Sequence, residues 1–166
     1  MPTHSDFLKY YASVRKRTLR VAACIPTDKI EWRPAPDAFS FGDLLRHLAG
    51  IERWMFVETV LGRPTRYPGH GAELADGKDE VLSYVAQLHD ESMALLRELS
   101  DTDVEREVMT PAGTPLAAWK WLRSMIEHEA HHRGQMYTML RLLGIPTPPI
   151  YGLTEPEVVA LGRTHQ

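Results

Sequence analysis

The sequence has a single cysteine, Cys24, among its 166 residues. One cysteine excludes an internal disulfide and a cysteine-rich zinc site, and it fits a reducing compartment. No apolar run approaches the roughly 18 residues that suggest a membrane-spanning helix, and the first residues contain no apolar core of signal-peptide length. We therefore expect a cytoplasmic protein that does not engage a membrane.

An excess of positive charge is also missing. Nineteen Lys and Arg residues face 22 Asp and Glu residues, which gives a formal net charge of −3. This balance excludes a polybasic nucleic-acid binder of the usual kind and gives no electrostatic reason to bind anionic membranes. With 43% hydrophobic and 25% charged residues, the chain is expected to form one globular domain over residues 1–166.

Sustained alternation of apolar and polar residues is missing, so the sequence predicts no strand. Instead, apolar residues recur every three or four positions in four stretches, which predicts four amphipathic helices. The stretches cover residues 6–23, 41–61, 78–99 and 115–143. They predict an all-α four-helix bundle. A short additional helix is expected from Thr154 to Gly162.

The connections over residues 24–40, 62–77 and 100–114 are long for a simple up-and-down bundle. Connections of this length can cross an end of the bundle, which favours a crossover topology, and they can build a site there.

Capping residues set the expected helix starts. Ser40 and Asp43 form a capping-box pattern before the second helix, and Asp76 is the expected cap of the third. Thr114 followed by Pro115 is the expected start of the fourth helix.

Eight histidines are unusual for a chain of this length. His128 and His132 are four residues apart, so both imidazoles lie on one face of the fourth helix, close enough to bind one metal ion. His47 lies on the apolar stripe of the second helix. Because an unpaired polar ring is costly in a core, three inward imidazoles need a shared partner. The pattern predicts a divalent-metal site formed by His47, His128 and His132.

The other histidines have weaker patterns. His131 points away from the apolar stripe and is expected at the rim or surface, and His89 is not expected in the site. His70, in the loop YPGHG, is either an ordinary loop residue or a group that swings over the site as a fourth ligand or an acid–base group. His4 and His165, near the termini, are expected to be solvated.

The string HEAHH also contains the HExxH pattern of zincin proteases, with Glu129 as general base. We set this interpretation aside because Gln135 and Thr138 stand where the metzincin extension requires Gly and His, and because no strand is predicted to hold a substrate. Gln135 is instead a candidate to orient a ligand ring or the substrate. Arg133 is left open between binding a substrate anion and a structural role.

Two further features of the sequence can be explained by ordinary structural roles. Arg15, Lys16, Arg17 and Arg20 are expected to form a solvated face of the first helix. Trp32, in the segment IEWRPAP, either plugs the end of the bundle or lines the mouth of a pocket.

Three segments carry a resemblance to a known family: EWRPAPDAFSFGDLLRHLAGIERW, HEAHHRGQM and LRLLGIP. Together they resemble the DinB/YfiT-like superfamily of proposed metal-dependent enzymes, which is unrelated to the similarly named DNA polymerase. The resemblance covers roughly residues 6–144. It implies a four-helix bundle, often with up-down-down-up order and frequently homodimeric. It also implies His47, His128 and His132 as metal ligands, with zinc or nickel as the usual metal.

Characterised members of that family include thiol-dependent S-transferases, a mycothiol-dependent isomerase and hydrolases, whereas most members have no assigned reaction. The resemblance therefore implies a metal-dependent enzyme that activates a small thiol or water and acts on a small-molecule substrate. A low-molecular-weight thiol is the expected cosubstrate, since Cys24 is remote in sequence from every predicted ligand. The alternative is a non-catalytic, metal-stabilised stress-response dimer.

Overall fold

A computed structural model of the chain describes residues 3–164. Its helices are α1 (His4–Ala23), α2 (Phe41–Ile51), α3 (Glu58–Val60), α4 (Lys78–Arg97), α5 (Asp101–Glu105), α6 (Ala118–Leu142) and α7 (Glu155–Thr164). A π-helical segment, Glu52–Val57, joins α2 directly to α3, and 3₁₀ turns occupy Thr27–Lys29 and Ala72–Leu74. The long helices α1, α2–α3, α4 and α6 form the predicted four-helix bundle.

Two apolar clusters fill the bundle, and they show the direction of each helix. The upper cluster includes Val21, Ala22, Leu44, Leu45, Leu48, Val81, Val85, Met136 and Leu140. The lower cluster includes Tyr11, Val14, Phe56, Val57, Val60, Met93, Leu96, Leu122 and Met125. Thus α1 and α6 run from the lower to the upper cluster, whereas α2–α3 and α4 run the opposite way.

The start of α2 follows the predicted capping box. The backbone N–H of Asp43 donates to Ser40 Oγ at 2.9 Å, and the backbone N–H of Ser40 donates to Asp43 Oδ2 at 2.9 Å. After α3, Gly62 adopts a φ of 70°, a left-handed conformation that glycine accepts without steric cost. The helix that carries His47 therefore begins and ends where the sequence predicts.

The prediction that no strand is present is wrong. Strands β1 (Glu107–Met109) and β2 (Pro115–Ala117) pair antiparallel, with Val108 opposite Leu116. Strands of three residues are too short to show an alternating pattern. Thr114 and Pro115 therefore belong to a hairpin and do not start α6.

The predicted cap of α4 is also wrong, because Gly77 occupies the N-cap position and makes no side-chain cap bond. The backbone N–H of Asp76 instead donates to Glu80 Oε2 at 3.1 Å.

A buried polar layer lies between the two clusters, and Arg15 is at its centre. Its side chain is only 3% exposed and forms ion pairs with Glu52 and Glu129. Thr18 Oγ1 donates to Glu129 Oε1 at 2.6 Å, and His89 Nδ1 lies 2.8 Å from Glu52 Oε1. The expected solvated position is therefore wrong for Arg15. Its two carboxylate partners come from other helices, which no local pattern reveals.

The two ends of the bundle hold the remaining residues singled out in the sequence. His4 is buried, with Nε2 2.7 Å from the carbonyl oxygen of Leu96, so its expected solvation is wrong. Trp32 packs on the upper cluster, with its ring 6.0 Å from that of Phe41, and so covers that end of the bundle. His165 lies outside the described residues. No helix within residues 3–164 has the length and apolar character needed to cross a membrane.

Replacing Arg15 by Met should lower the free energy of unfolding by about 3–5 kcal/mol, because two buried carboxylates lose their shared cation. Urea denaturation measures the change. Lys16→Met is the matched control: Lys16 is exposed on the same helix, and its replacement should change stability by no more than about 0.5 kcal/mol. Equal effects in the two variants would contradict the role given to Arg15.

Candidate metal site

Three histidine side chains meet between α2 and α6. His47 Nε2 lies 3.0 Å from His128 Nε2, and His128 Nε2 lies 3.1 Å from His132 Nε2. One ligand atom from each ring lies within 4.8 Å of the others. The structure thus brings together the three residues that the sequence selects, and we call them the histidine triad.

The positions of these rings follow from the helices that carry them. On α6 the four-residue spacing places His128 and His132 one turn apart on the same face. On α2, His47 stands between the core positions Leu44 and Leu48, both buried in the upper cluster. The packing of α2 against α6 therefore brings His47 to the two α6 rings.

The triad histidines are held in the neutral form. Burial, with a contribution from neighbouring histidines, lowers the pKa of His47 from 6.5 to about 4 and that of His128 to about 3. Burial also lowers the pKa of His132, against an opposing hydrogen bond to Gln135. A neutral imidazole has one nitrogen with a free lone pair, which is the form that binds metals.

The tautomers follow from the partners of the Nδ1 atoms. His132 Nδ1 lies 2.7 Å from Gln135 Oε1, so it carries the proton and donates it to the amide oxygen. His47 Nδ1 lies 2.8 Å from the hydroxyl of Tyr67, which in turn lies 2.9 Å from His70 Nδ1. The single proton of the Tyr67 hydroxyl can be donated to only one of these two rings. When it goes to His70, His47 Nδ1 is the donor to Tyr67, and the Nε2 atoms of His47 and His132 both present lone pairs.

Converging lone pairs repel one another unless a cation lies among them. A single proton on His128 Nε2 can bridge to only one neighbour well, whereas a divalent ion satisfies all three nitrogens. Tetrahedral zinc with Zn–N bonds of about 2.0–2.1 Å keeps its nitrogens roughly 3.3 Å apart, close to the separations of 3.0 and 3.1 Å found here. The donor set therefore fits a divalent metal ion.

The loop over residues 62–77 completes the surroundings of the triad. Tyr67 bridges His47 to His70, and the His70 ring packs at a tilt of 31° against Phe39 with ring centroids 4.3 Å apart. The sequence left His70 open, and the structure places it one hydroxyl away from a triad ring. Tyr67 was missed, although an aromatic residue three positions before a loop histidine was a possible signal.

Arg46, next to His47, connects the loop that contains Glu31 to the loop that contains His70. Its guanidinium is fully buried, and Nε donates to the carbonyl oxygen of His70 at 2.6 Å. Nη1 donates to Ala75 O at 2.9 Å and to Glu31 Oε1 at 2.8 Å. Although burial disfavours the charge, hydrogen bonds to Glu31 and Asp43 raise the pKa of Arg46. This cation joins the loop of Glu31 to the loop of His70, and no local sequence pattern indicates it.

Other candidate residues point elsewhere. Glu129 is buried against Arg15 and Thr18, so it is not available as a zincin-type general base. Arg133 is buried and donates to Val14 O at 3.4 Å, which is a structural contact. His131 is exposed, as expected, with its ring centroid 4.9 Å from that of His132. His89 pairs with Glu52 in the polar layer.

The depressed pKa values predict acid sensitivity of the metal-free protein. Below pH 6.5 the unfolded chain binds protons at these histidines, whereas folded His47 resists protonation down to about pH 4. The contribution of these histidines to the free energy of unfolding should therefore be constant above pH 6.5 and decrease as the pH falls toward 4. Chemical denaturation at several pH values measures the slope.

His47→Gln should make the fall shallower, whereas His131→Gln, which changes an exposed neighbour of the triad, should leave it as in the parent protein. An unchanged slope in His47→Gln would contradict the assignment.

Comparisons with known proteins agree with this fold. The YjoA protein of Bacillus subtilis, described as uncharacterised, is 24% identical over 150 residues, which cover 89% of this chain and 95% of YjoA. Its crystal structure matches with a TM-score of 0.71 at 19% identity, covering 90% of this chain and 99% of that one. A DinB-like protein from Bacillus cereus matches with a TM-score of 0.76 at 19% identity, covering 90% and 98% of the two chains.

A third structure is that of YfiT from Bacillus subtilis, described as a probable metal-dependent hydrolase with an unusual four-helix bundle topology. It matches with a TM-score of 0.65 at 15% identity, covering 85% of this chain and 87% of YfiT. The sequence model of the DinB superfamily matches residues 10–136, and this confirms the resemblance drawn from the motifs. The chain therefore belongs to the DinB superfamily.

Proposed function

We propose that the protein is a metal-dependent enzyme in which His47, His128 and His132 bind one divalent ion. The observation that carries the proposal is the convergence of three neutral imidazoles, with Nε2 atoms 3.0 and 3.1 Å apart. A divalent ion held by three neutral ligands keeps its full charge, acts as a Lewis acid and lowers the pKa of a bound water or thiol.

The residues around the triad would prepare it for that ion. Gln135 and Tyr67 accept the Nδ1 protons of His132 and His47, which keeps both Nε2 lone pairs directed inward. Such contacts fix ring orientation and raise ligand basicity. Phe39 and Phe56 cover the rings of His47 and His128 with apolar surface, at centroid distances of 5.4 and 5.8 Å.

The surroundings of the triad favour turnover over a purely structural metal. A solvent-accessible groove between α6 and the loop that carries Phe39 is lined by His132, one member of the triad. A closed structural site needs no such access. This groove supports the enzyme over the alternative of a non-catalytic, metal-stabilised stress-response protein.

A small thiol is the preferred nucleophile. Within residues 3–164, the side chains described in contact with the triad rings are aromatic, histidine or amide groups, and none is a carboxylate. Metal-dependent hydrolases of the HExxH type use the glutamate of that motif as general base, and the corresponding Glu129 is occupied by Arg15. A thiol, with a usual pKa near 8.5, ionises with far less assistance than water. The expected activity is therefore thiol S-transfer, with hydrolysis as the second candidate.

The homodimer implied by the family resemblance stays a prediction. None of the contacts that position the triad requires a second copy of the chain.

Metal binding should depend on each member of the triad. The parent protein should hold one zinc or nickel ion per chain, and His47→Ala, His128→Ala and His132→Ala should each lose most of it, as measured by elemental analysis after dialysis. An added metal at about 100 times its Kd should stabilise the parent protein by about 2.7 kcal/mol.

His131→Ala is the matched control, because this exposed histidine is adjacent to His132 on α6. It should keep the full metal content. Unchanged metal content in all three triad variants would refute the site.

The choice between thiol and water can be tested with cobalt-substituted protein. Addition of a small thiol should produce a sulfur-to-cobalt charge-transfer band in the parent protein and in Cys24→Ser, but not in His128→Ala. If no physiological thiol changes the cobalt spectrum, thiol transfer fails and hydrolysis becomes the better candidate. Its rate should then rise with pH through a pKa near 7.

A further inference from the structure

A groove of about 780 Å³ lies beside the triad along one side of α6. Its α6 wall extends from His132 to Leu142, which corresponds to about 15 Å at a rise of 1.5 Å per residue. Pro34, Ala38 and Phe39 form the opposite wall. The groove meets the triad at His132, which lines it, and Phe39 of the opposite wall contacts the rings of His47 and His70.

The lining of this α6 groove is uncharged. It contains no Asp, Glu, Lys or Arg side chain. The hydroxyl of Thr138 donates to the backbone oxygen of Gly134 at 3.1 Å, and Gln135 Oε1 accepts from His132. Besides the amide N–H donors of Gln135 and the ring of His131, the lining has few polar atoms, so the groove offers mainly apolar surface to a ligand.

Gly134 lies in the groove wall, and neither backbone conformation nor packing within residues 3–164 requires a glycine there. It is in the interior of α6 and lacks the positive φ that favours glycine. A Cβ built on it would meet no atom within 4 Å, so internal packing does not require its small size. Glycine inside a helix is less stable than alanine. The position is therefore open toward the groove, at a cost to the helix.

We propose, resting on the metal-dependent function above, that the α6 groove binds a slender, uncharged apolar chain of a small-molecule substrate. The reacting end of the substrate lies at the triad, and the chain extends past Gly134 toward Leu142. The exposed side chain of Leu142 provides apolar surface at the far end.

The small number of polar groups in the lining argues against a peptide as the occupant. An extended peptide needs partners for its backbone N–H and C=O groups, and their burial without partners is costly. A hydrocarbon chain needs none. The distance from His132 to Leu142 suits an elongated chain better than a compact group.

Binding of N-phenyl-1-naphthylamine, an uncharged apolar fluorophore, tests the groove directly. The probe should bind the parent protein with increased emission, and n-decanol should displace it more effectively than n-hexanol. Gly134→Leu should weaken probe binding at least tenfold, because its side chain projects into the groove. Leu142→Lys, a change at an exposed position, should reduce the advantage of n-decanol over n-hexanol.

Gly162→Leu is the matched control, since Gly162 lies in α7 and also has open space around it. It should leave probe affinity unchanged. Gly134→Leu should keep its metal content, so that loss of probe binding with metal retained supports the groove independently of the triad. If the parent protein binds no metal, the metal-dependent function is refuted. A weaker affinity of Gly134→Leu for the probe would still show that the groove binds an apolar ligand.

Unchanged probe affinity in Gly134→Leu would overturn the proposal. So would conversion of a dimer to a monomer by Gly134→Leu in light scattering, because the groove would then be covered by a second copy of the chain.

Discussion

The guanidinium of Arg15 links the two helices that carry the triad. It pairs with Glu52, in the π-helical segment that follows α2, and with Glu129, the residue after His128 on α6. Although burial disfavours its charge, these carboxylates raise the pKa of Arg15, so it stays a cation. Because residues next to one another on a helix point about 100° apart, the pairing of Glu129 with α1 directs His128 toward α2. The Arg15 guanidinium therefore constrains the rotation of both helices about their axes.

A second buried cation, Arg46, has a comparable function for the loops. It binds the loop of Glu31 on one side and the carbonyl oxygens of His70 and Ala75 on the other. These loops carry Phe39, Tyr67 and His70, which lie around His47. Phe39 also forms part of one wall of the α6 groove. The helices of the bundle thus supply the three histidines, whereas the loops supply their surroundings.

Local patterns were sufficient for the helices and for selecting the three histidines, because each pattern lies within one segment of the chain. The capping box at Ser40, the glycine after α3 and the four-residue spacing of His128 and His132 are all short-range features. The same approach failed where the partner is distant in sequence. Arg15 reads as part of a basic surface stretch, and His4 reads as a terminal residue, until α4, α6 and the π-helical segment pack around them. The hairpin of β1 and β2 was missed because its strands are only three residues long.

The sequence alone determined the helical class, the family and the identity of the three converging histidines, because periodicity and motif spacing are properties of single segments. Tertiary structure decided which atoms of those histidines face one another, and that Tyr67 and Gln135 hold their other ring nitrogens. It also decided that Glu129 serves Arg15 and not the metal site, and that Gly134 opens onto a groove. Each of these depends on the rotation of one helix against another, and that rotation is set by buried contacts between residues far apart in the chain.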